Sequence, residues 1–510
     1  MFSSVKSVCL LGLSANVVSV EADVSDGMPV FDMVGYLSGE VKEARERVRT
    51  ALKNSGVSIP PKRITLNLSP GDIRKSGTSF DLAMALSLML ALKELPENCL
   101  DGVMVFGELS LDGRVYPVPG ILPMVIEARM LGYKKCMVPY ENADEGSIVE
   151  GIEIIAVKTL REAADCAEGK RISAETHKSR EDIKENINRY EADFADVSGQ
   201  ETVKRAMEIA AAGMHNILII GPPGSGKTML SKRLPSILPP LSVEECMEIT
   251  KIYSVSGKLL KGDGLITKRP FVSPHHTVTP QALAGGGSVP KPGECSLAHR
   301  GVLFLDELPE FSRSALEILR QPMEDKEVHV SRTSGNYTFP ADFLLCAAMN
   351  PCKCGYYPDM RKCTCTEGDV KKYLSKISGP LLDRIDICAE ASRIKYGELK
   401  ERAVSESSAQ IRKRVEKAAE IQNERYRGTS IRFNADLGVS DLKKYCVLGK
   451  QEEELMQAAY DRLSLSARVY HRILKVARTI ADLDESEEIK TVHLSEAIAY
   501  KSIDRRYWHG

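Results

Sequence analysis

The sequence predicts an α/β protein: an α+β N-terminal unit, an α/β core around a phosphate-binding loop, and an α-helical C-terminal unit. Three observations carry this. The apolar run Ile217-Leu218-Ile219-Ile220 feeds into Gly221-Pro222-Pro223-Gly224-Ser225-Gly226-Lys227-Thr228, a complete G-x-x-x-x-G-K-[ST] match between a strand and a helix. A second apolar run, Val302-Leu303-Phe304-Leu305, ends in the paired carboxylates Asp306-Glu307. Finally, strands and helices alternate over residues 1–168, whereas nearly everything after residue 396 has helical spacing.

With 510 residues the chain should form about three domains. Lys and Arg number 69 against 70 Asp and Glu, a net charge of −1, so the molecule as a whole is not a basic surface for nucleic acid. Contact with a phosphate backbone would have to come from local loops. No apolar run approaches the ~20 residues that cross a bilayer. The start, Met1-Phe2-Ser3-Ser4-Val5-Lys6, lacks a signal-peptide pattern, so a cytoplasmic protein without a membrane partner is expected. In that setting the 13 cysteines read as thiols or metal ligands rather than disulfides.

Four segments follow in order. In residues 1–168, 17–24 alternate as a strand, 42–54 form a charged helix closed by Gly56, and 80–92 form a strongly apolar, buried helix. Residues 103–106 and 134–139 read as core strands. Residues 169–189 are charged and almost free of large apolar side chains, the composition of a linker. The phosphate-loop core spans 190–395, and helices fill 396–510 at 439–445, 452–463, 466–482 and 492–501, after a long charged stretch ending at Tyr426.

The chemistry follows from the motifs. Glycines let backbone N–H groups curl around phosphates, Lys227 supplies a point charge, and the Thr228 hydroxyl can hold Mg²⁺. Together Gly221, Pro222, Pro223, Gly224, Ser225, Gly226, Lys227 and Thr228 are expected to bind a nucleoside triphosphate. Asp306 falls near the Mg²⁺, and Glu307 falls where it can orient and deprotonate the attacking water. The apolar strand 343–349 ends at Asn350, which could sense the γ-phosphate or position the water. Cys352-Lys353-Cys354 and Cys363-Thr364-Cys365 put four cysteines within fourteen residues, enough thiolates for a tetrahedral Zn²⁺, with free or redox-active thiols as the alternative.

These residues resemble the AAA+ ATPases. Leu381-Leu382-Asp383-Arg384-Ile385-Asp386 looks like the arginine-finger motif of the magnesium-chelatase and replicative-helicase branch, which implies that Arg384 completes a neighbouring subunit's site in a ring. Ser466-Ala467-Arg468 resembles the second sensor, implying that Arg468 reaches the nucleotide. The segment 193–200, with Val197 and Gly199, resembles the one that packs on adenine. By the same resemblance, loops around His275-His276, Gly285-Gly286-Gly287 and the hairpin with Arg332 and Tyr337 are inserts lining a central pore. Lys75-Ser76-Gly77-Thr78-Ser79-Phe80-Asp81 and the two glycine turns at Gly107 and Gly113 look like the Lon-protease fold. Ser79 falls near the nucleophile position, but residues 122–124 carry no lysine to act as its base, so proteolysis is not expected.

The whole order resembles the magnesium-chelatase-like AAA+ proteins of the YifB/ComM type, as does His299-Arg300-Gly301-Val302-Leu303-Phe304-Leu305-Asp306-Glu307-Leu308-Pro309-Glu310-Phe311. That resemblance implies an ATP- and Mg²⁺-dependent homo-oligomer, a hexameric ring. It would act on single-stranded or branched DNA as a helicase in natural transformation or recombination, alongside recombination proteins. The rival expectations are a chelatase-like remodeller of a protein partner and an ATP-dependent protease.

Overall fold

Alternating apolar and polar residues build the first sheet. In the computed structural model the described residues are 1–170, 190–259, 264–287, 289–332, 335–393 and 406–508; the expected linker and the boundary near 395 fall largely outside them. A long antiparallel hairpin, β1 (Phe2–Leu11) and β2 (Ser14–Ser25), forms the middle of a seven-stranded mixed sheet of order β3-β4-β2-β1-β5-β8-β9. The other strands are β3 (Val30–Val34), β4 (Arg63–Ser69), β5 (Val103–Val105), β8 (Lys135–Pro139) and β9 (Glu153–Val157), with a separate small hairpin of β6 (Glu108–Leu109) and β7 (Val115–Tyr116). Helix Asp81–Ala91 is buried on nearly every side, as its all-round apolar sequence requires.

The core carries a parallel sheet of order β11-β14-β17-β10-β18. Its strands are β10 (Ile217–Ile220), β11 (Phe271–Val272), β14 (Val302–Leu305), β17 (Leu344–Met349) and β18 (Ile387–Glu390). The three inner strands β10, β14 and β17 are buried at every position because helices cover both faces, which is why they read as continuous apolar runs. Two hairpins stand outside it: β12 (Gly285–Gly286) with β13 (Lys291–Pro292), and β15 (Glu327–Arg332) with β16 (Gly335–Pro340).

The C-terminal helices close on this core. Helix Ala467–Leu483 is amphipathic, and its Val469, Ile473, Val476, Ala477 and Ile480 share one hydrophobic cluster with helix Glu201–Gly213 and with Ile217 and Ile219 of β10. The last helix, Thr491–Trp508, runs past the expected residue 501. Its extra turns have partners that sequence periodicity does not reveal: Trp508 Nε1 donates to the Leu374 carbonyl at 3.1 Å and Tyr507 donates to Glu390 at 2.8 Å.

The N-terminal unit docks on the core at two places. Helix Ile121–Met130 packs against helix Val243–Ser256, and the Gly120 amide donates to the Ser254 carbonyl at 3.1 Å. Buried Glu145 joins the two, accepting from the Leu122 amide at 2.7 Å and from the Ser254 hydroxyl; burial raises its pKa. Elsewhere, the turn between β1 and β2 meets the hairpin β15–β16. A Cβ on Gly12 would lie 3.2 Å from the Tyr337 ring, and Leu11 and Leu13 pack on the same cluster.

Asp482 ties the C-terminal unit together. Fully buried, it accepts from both terminal nitrogens of Arg425, from Arg478 Nε at 3.1 Å and from Asn434 at 2.8 Å. Asp482→Ala strands two guanidinium groups in a buried setting and is expected to destabilise the protein by about 3–5 kcal/mol. Chemical denaturation followed by circular dichroism measures this; a loss below about 1 kcal/mol contradicts the assignment.

Candidate active site

Parallel register assembles the site. Ile220 pairs with Met349, and Leu305 with Ala347, so the loops after β10, β14 and β17 leave the sheet at the same carboxyl-terminal edge. There Gly224, Lys227, Thr228, Asp306, Glu307 and Asn350 line a cavity of about 410 Å³. Gly224 and Gly226 have φ of 75° and 83°, the left-handed region that glycine enters without strain, and this curls the loop so that its amides face inward.

Lys227 Nζ donates to the Gly221 carbonyl at 2.8 Å, the Pro222 carbonyl at 3.0 Å and Asn350 Oδ1 at 3.1 Å. Burial lowers its pKa, while the nearby Asp306 and Glu307 carboxylates act in the opposite direction. The Thr228 hydroxyl lies 2.6 Å from Asp306 Oδ2. Adjacent oxygens around an octahedral Mg²⁺ sit about 2.9 Å apart, so this pair fits two neighbouring positions on that cation. Glu307 itself has φ 53° and ψ 48°, a left-handed backbone for a non-glycine residue, held at the strand end where the carboxylate must turn into the cavity.

Val197 and Gly199 reach this loop through a residue that the motif reading did not single out. Gln200 donates to the Ser225 carbonyl at 3.1 Å and accepts from the Ser392 amide at 3.2 Å, bridging the segment, the phosphate loop and the end of β18. Arg233 anchors the same segment, donating to the Asp193 carbonyl and to Asp196 at 2.9 Å. His276 is a second missed residue. Its Nδ1 stands 3.8 Å from Glu307 Oε2, and its ring is held between His275, 4.0 Å away, and the edge of Phe311. The register of β11 with β14 (Val272 opposite Leu303) brings position 276 beside 307 when continued four residues, a signal invisible until the strands are paired.

The two arginines lie elsewhere. Arg384 precedes β18, at the amino-terminal edge of the sheet, opposite the phosphate loop. It is buried, donates to the Pro380 carbonyl at 2.7 Å and pairs with Glu324 at 2.5 Å. Arg472 donates to the Arg384 carbonyl at 3.1 Å and pairs with Asp386, a carboxyl that burial would push up but that Arg472 and His215 hold well below the usual range. Arg468 is exposed one turn before Arg472 on the same helix. It is not among the residues that line the phosphate cavity of its own chain, and the helix carrying it is fastened through Arg472 to the opposite edge.

Cys352, Cys354, Cys363 and Cys365 do converge, with all four sulfurs within 4.8 Å of one another. Tyr337, on the hairpin expected to line a pore, is buried against the β1–β2 turn, while Arg332 on the same hairpin is exposed. In the N-terminal unit Ser79 is buried, and Leu122 and Met124, where a base would be needed, are buried beside the docking helix. Lys75 is also buried, with Nζ donating to the Pro70 carbonyl.

Three family models match the chain: Magnesium chelatase, subunit ChlI, over 193–399; Subunit ChlI of Mg-chelatase over 20–142; and Magnesium chelatase, subunit ChlI C-terminal, over 405–501. The chain is 42% identical over 509 residues to YifB of Escherichia coli, covering 99% of this chain and 98% of the relative. It is 39% identical over 497 residues to competence protein ComM of Haemophilus influenzae, covering 97% and 96%. The chain belongs to the YifB/ComM-type magnesium-chelatase-like family. A 125-residue stretch is also 38% identical to Lon protease 2 of Bacillus subtilis, covering 24% of this chain and 22% of the protease. The fold is thus that of an AAA+ ATPase of this family with a Lon-like N-terminal unit and a C-terminal helical region.

In such an ATPase, His276 bears on Glu307. His276→Ala is expected to lower the kcat for ATP about tenfold and leave KM within about twofold, with His276→Asn restoring most of the loss. Steady-state ATPase kinetics decide this, and an unchanged kcat contradicts it.

Proposed function

We propose that the chain is an ATP-driven motor that assembles as a hexameric ring, moves on single-stranded or branched DNA and promotes branch migration in transformation or recombination. The observation that carries the ring is the split of the site across one sheet. Lys227, Thr228, Asp306, Glu307 and Asn350 gather at one edge, while Arg384 and the helix of Arg468 sit at the other. Arginines there cannot serve the phosphates of their own chain, but in a closed ring that edge can face the next subunit's cavity, where both would stabilise charge developing on the γ-phosphate.

In this reading Lys227 and the loop amides hold ATP, and Val197 and Gly199 pack on the adenine. Thr228 and Asp306 hold Mg²⁺, which supplies charge neutralisation on the phosphates. Glu307 takes the proton of the attacking water and Asn350 orients it. The four cysteines hold a structural Zn²⁺. The Lon-like unit docks subunits rather than cutting peptides, since its base position is apolar and buried. Six copies of exposed Arg332 and Lys291, on adjoining hairpins, supply the local positive charge that the neutral monomer lacks. A DNA substrate is favoured by the competence role in ComM's name. Among the described residues no helix is long and apolar enough to cross a membrane, which suits a cytoplasmic site of action.

ATP hydrolysis measured with and without single-stranded and forked DNA tests the reading, with Glu307→Gln as the blank. We expect stimulation of several-fold that fades as salt rises, because neutralised phosphates release counterions. Lys227→Ala should lose nucleotide binding, and Glu307→Gln should bind without turnover. Arg384→Ala should bind normally and turn over at least about a hundredfold more slowly. Hydrolysis indifferent to DNA would favour a chelatase-like remodeller of a protein partner.

A further inference from the structure

We propose that the four-cysteine cluster is a zinc site that braces the phosphate-binding loop, so that metal binding and nucleotide binding strengthen each other. The inference rests on the zinc reading above and adds a mechanical role to it.

The sulfur geometry suits one tetrahedral ion. Cys352 and Cys354 Sγ are 3.3 Å apart, Cys352 and Cys363 3.8 Å, and Cys354 and Cys363 3.5 Å. Four thiolates about 2.3 Å from a shared Zn²⁺ stand about 3.8 Å from each other, whereas a disulfide would require about 2.05 Å. A backbone amide points at one of the sulfurs, as a thiolate favours: Tyr357 N lies 3.4 Å from Cys352 Sγ.

Two contacts join this cluster to the nucleotide cavity. On one side Cys352 is buried two residues beyond Asn350, whose side chain accepts from Lys227 at 3.1 Å. On the other, the turn 352–355 lies directly on the phosphate loop. A Cβ on Gly355 would sit 2.3 Å from Pro223 Cδ and 2.8 Å from its Cγ, and Gly355 has φ 82°. The cluster therefore touches both walls of the cavity, the glycine loop and the Asn350 strand end. The protein itself holds this turn by the burial of Cys352 in the core and by one short backbone turn, from Gly355 N to the Cys352 carbonyl at 3.0 Å; a central ion would add a cross-link from Cys352 and Cys354 to Cys363 and Cys365. Fixing four sulfurs to one ion would hold Gly355 in the left-handed shape it takes against Pro223.

Linkage supplies the test, on the full-length Glu307→Gln protein so that ATP is not consumed. Elemental analysis should find about one zinc per chain; none would remove the zinc reading itself. Competition with a zinc chelator, at saturating ATP and without it, should show ATP raising the apparent zinc affinity at least about fivefold, and stripping the zinc should weaken a fluorescent ATP analogue by the same factor. Zinc present with an affinity indifferent to ATP would leave the metal site standing and overturn the brace. Gly355→Ala, which presses on Pro223, should keep its zinc while binding the analogue at least about tenfold more weakly. Nucleotide affinity equal to the parent protein's would overturn the brace as well.

Discussion

Everything at the site depends on the parallel pairing of β10, β17 and β14. Those three strands are buried throughout, so a slip of one residue would turn apolar side chains out of their layers on both faces. The same register delivers Gly221, Asn350 and Asp306 to one edge within reach of a single ligand. Burial of apolar residues remote from the chemistry thus sets distances such as the 2.6 Å between Thr228 and Asp306. The fold itself brings the carboxylate and the lysine to one cavity, as a preorganised site requires.

That sheet also sets Arg384 apart from the phosphate loop. Strands four residues long span on the order of 13 Å, and Arg384 begins at the far end of one of them. Its guanidinium is occupied by Glu324 and the Pro380 carbonyl, and its backbone carbonyl by Arg472. Arg384, Asp386 and Arg472 form one interlocked group joining the core to the C-terminal helices. A change in how the helical unit sits would be felt at Arg384, and the reverse, because neither side can move without breaking buried ion pairs.

How much was legible in the sequence follows from the range of the interactions. The phosphate loop, Asp306-Glu307 and the paired C-x-C motifs are local patterns, and the structure brings each together as its spacing suggests. The helical repeat from residue 408 onward and the buried helix at 81–91 were legible for the same reason. Gln200 and His276 were not, because what makes them matter is a partner reached only once strands are paired: Ser392 lies 192 residues from Gln200. The burial of Tyr337 was not legible for the same reason: the surface that covers it belongs to the β1–β2 turn more than three hundred residues earlier. Arg468 was placed correctly on its helix, yet the side of the core on which that helix lies is a tertiary fact.

The N-terminal unit carries the last step. Its two attachments are unequal in kind. One is a buried polar bridge in which Glu145 accepts from Leu122 and Ser254; the other is an apolar contact in which a hairpin turn covers Tyr337 and Phe339. The polar bridge is directional, since separating it removes the Ser254 hydroxyl from a carboxylate that Leu122 and Asn142 hold in place. Apolar contact is tolerant of sliding. The bridge ends on helix Val243–Ser256, which also carries Glu248, bonded to His299 and Arg300 just ahead of β14. The sliding contact meets the hairpin that bears Arg332. The joint gives Leu122 and Met124 a packing use that a lysine there would disturb, because burying an ammonium costs more than burying either apolar side chain.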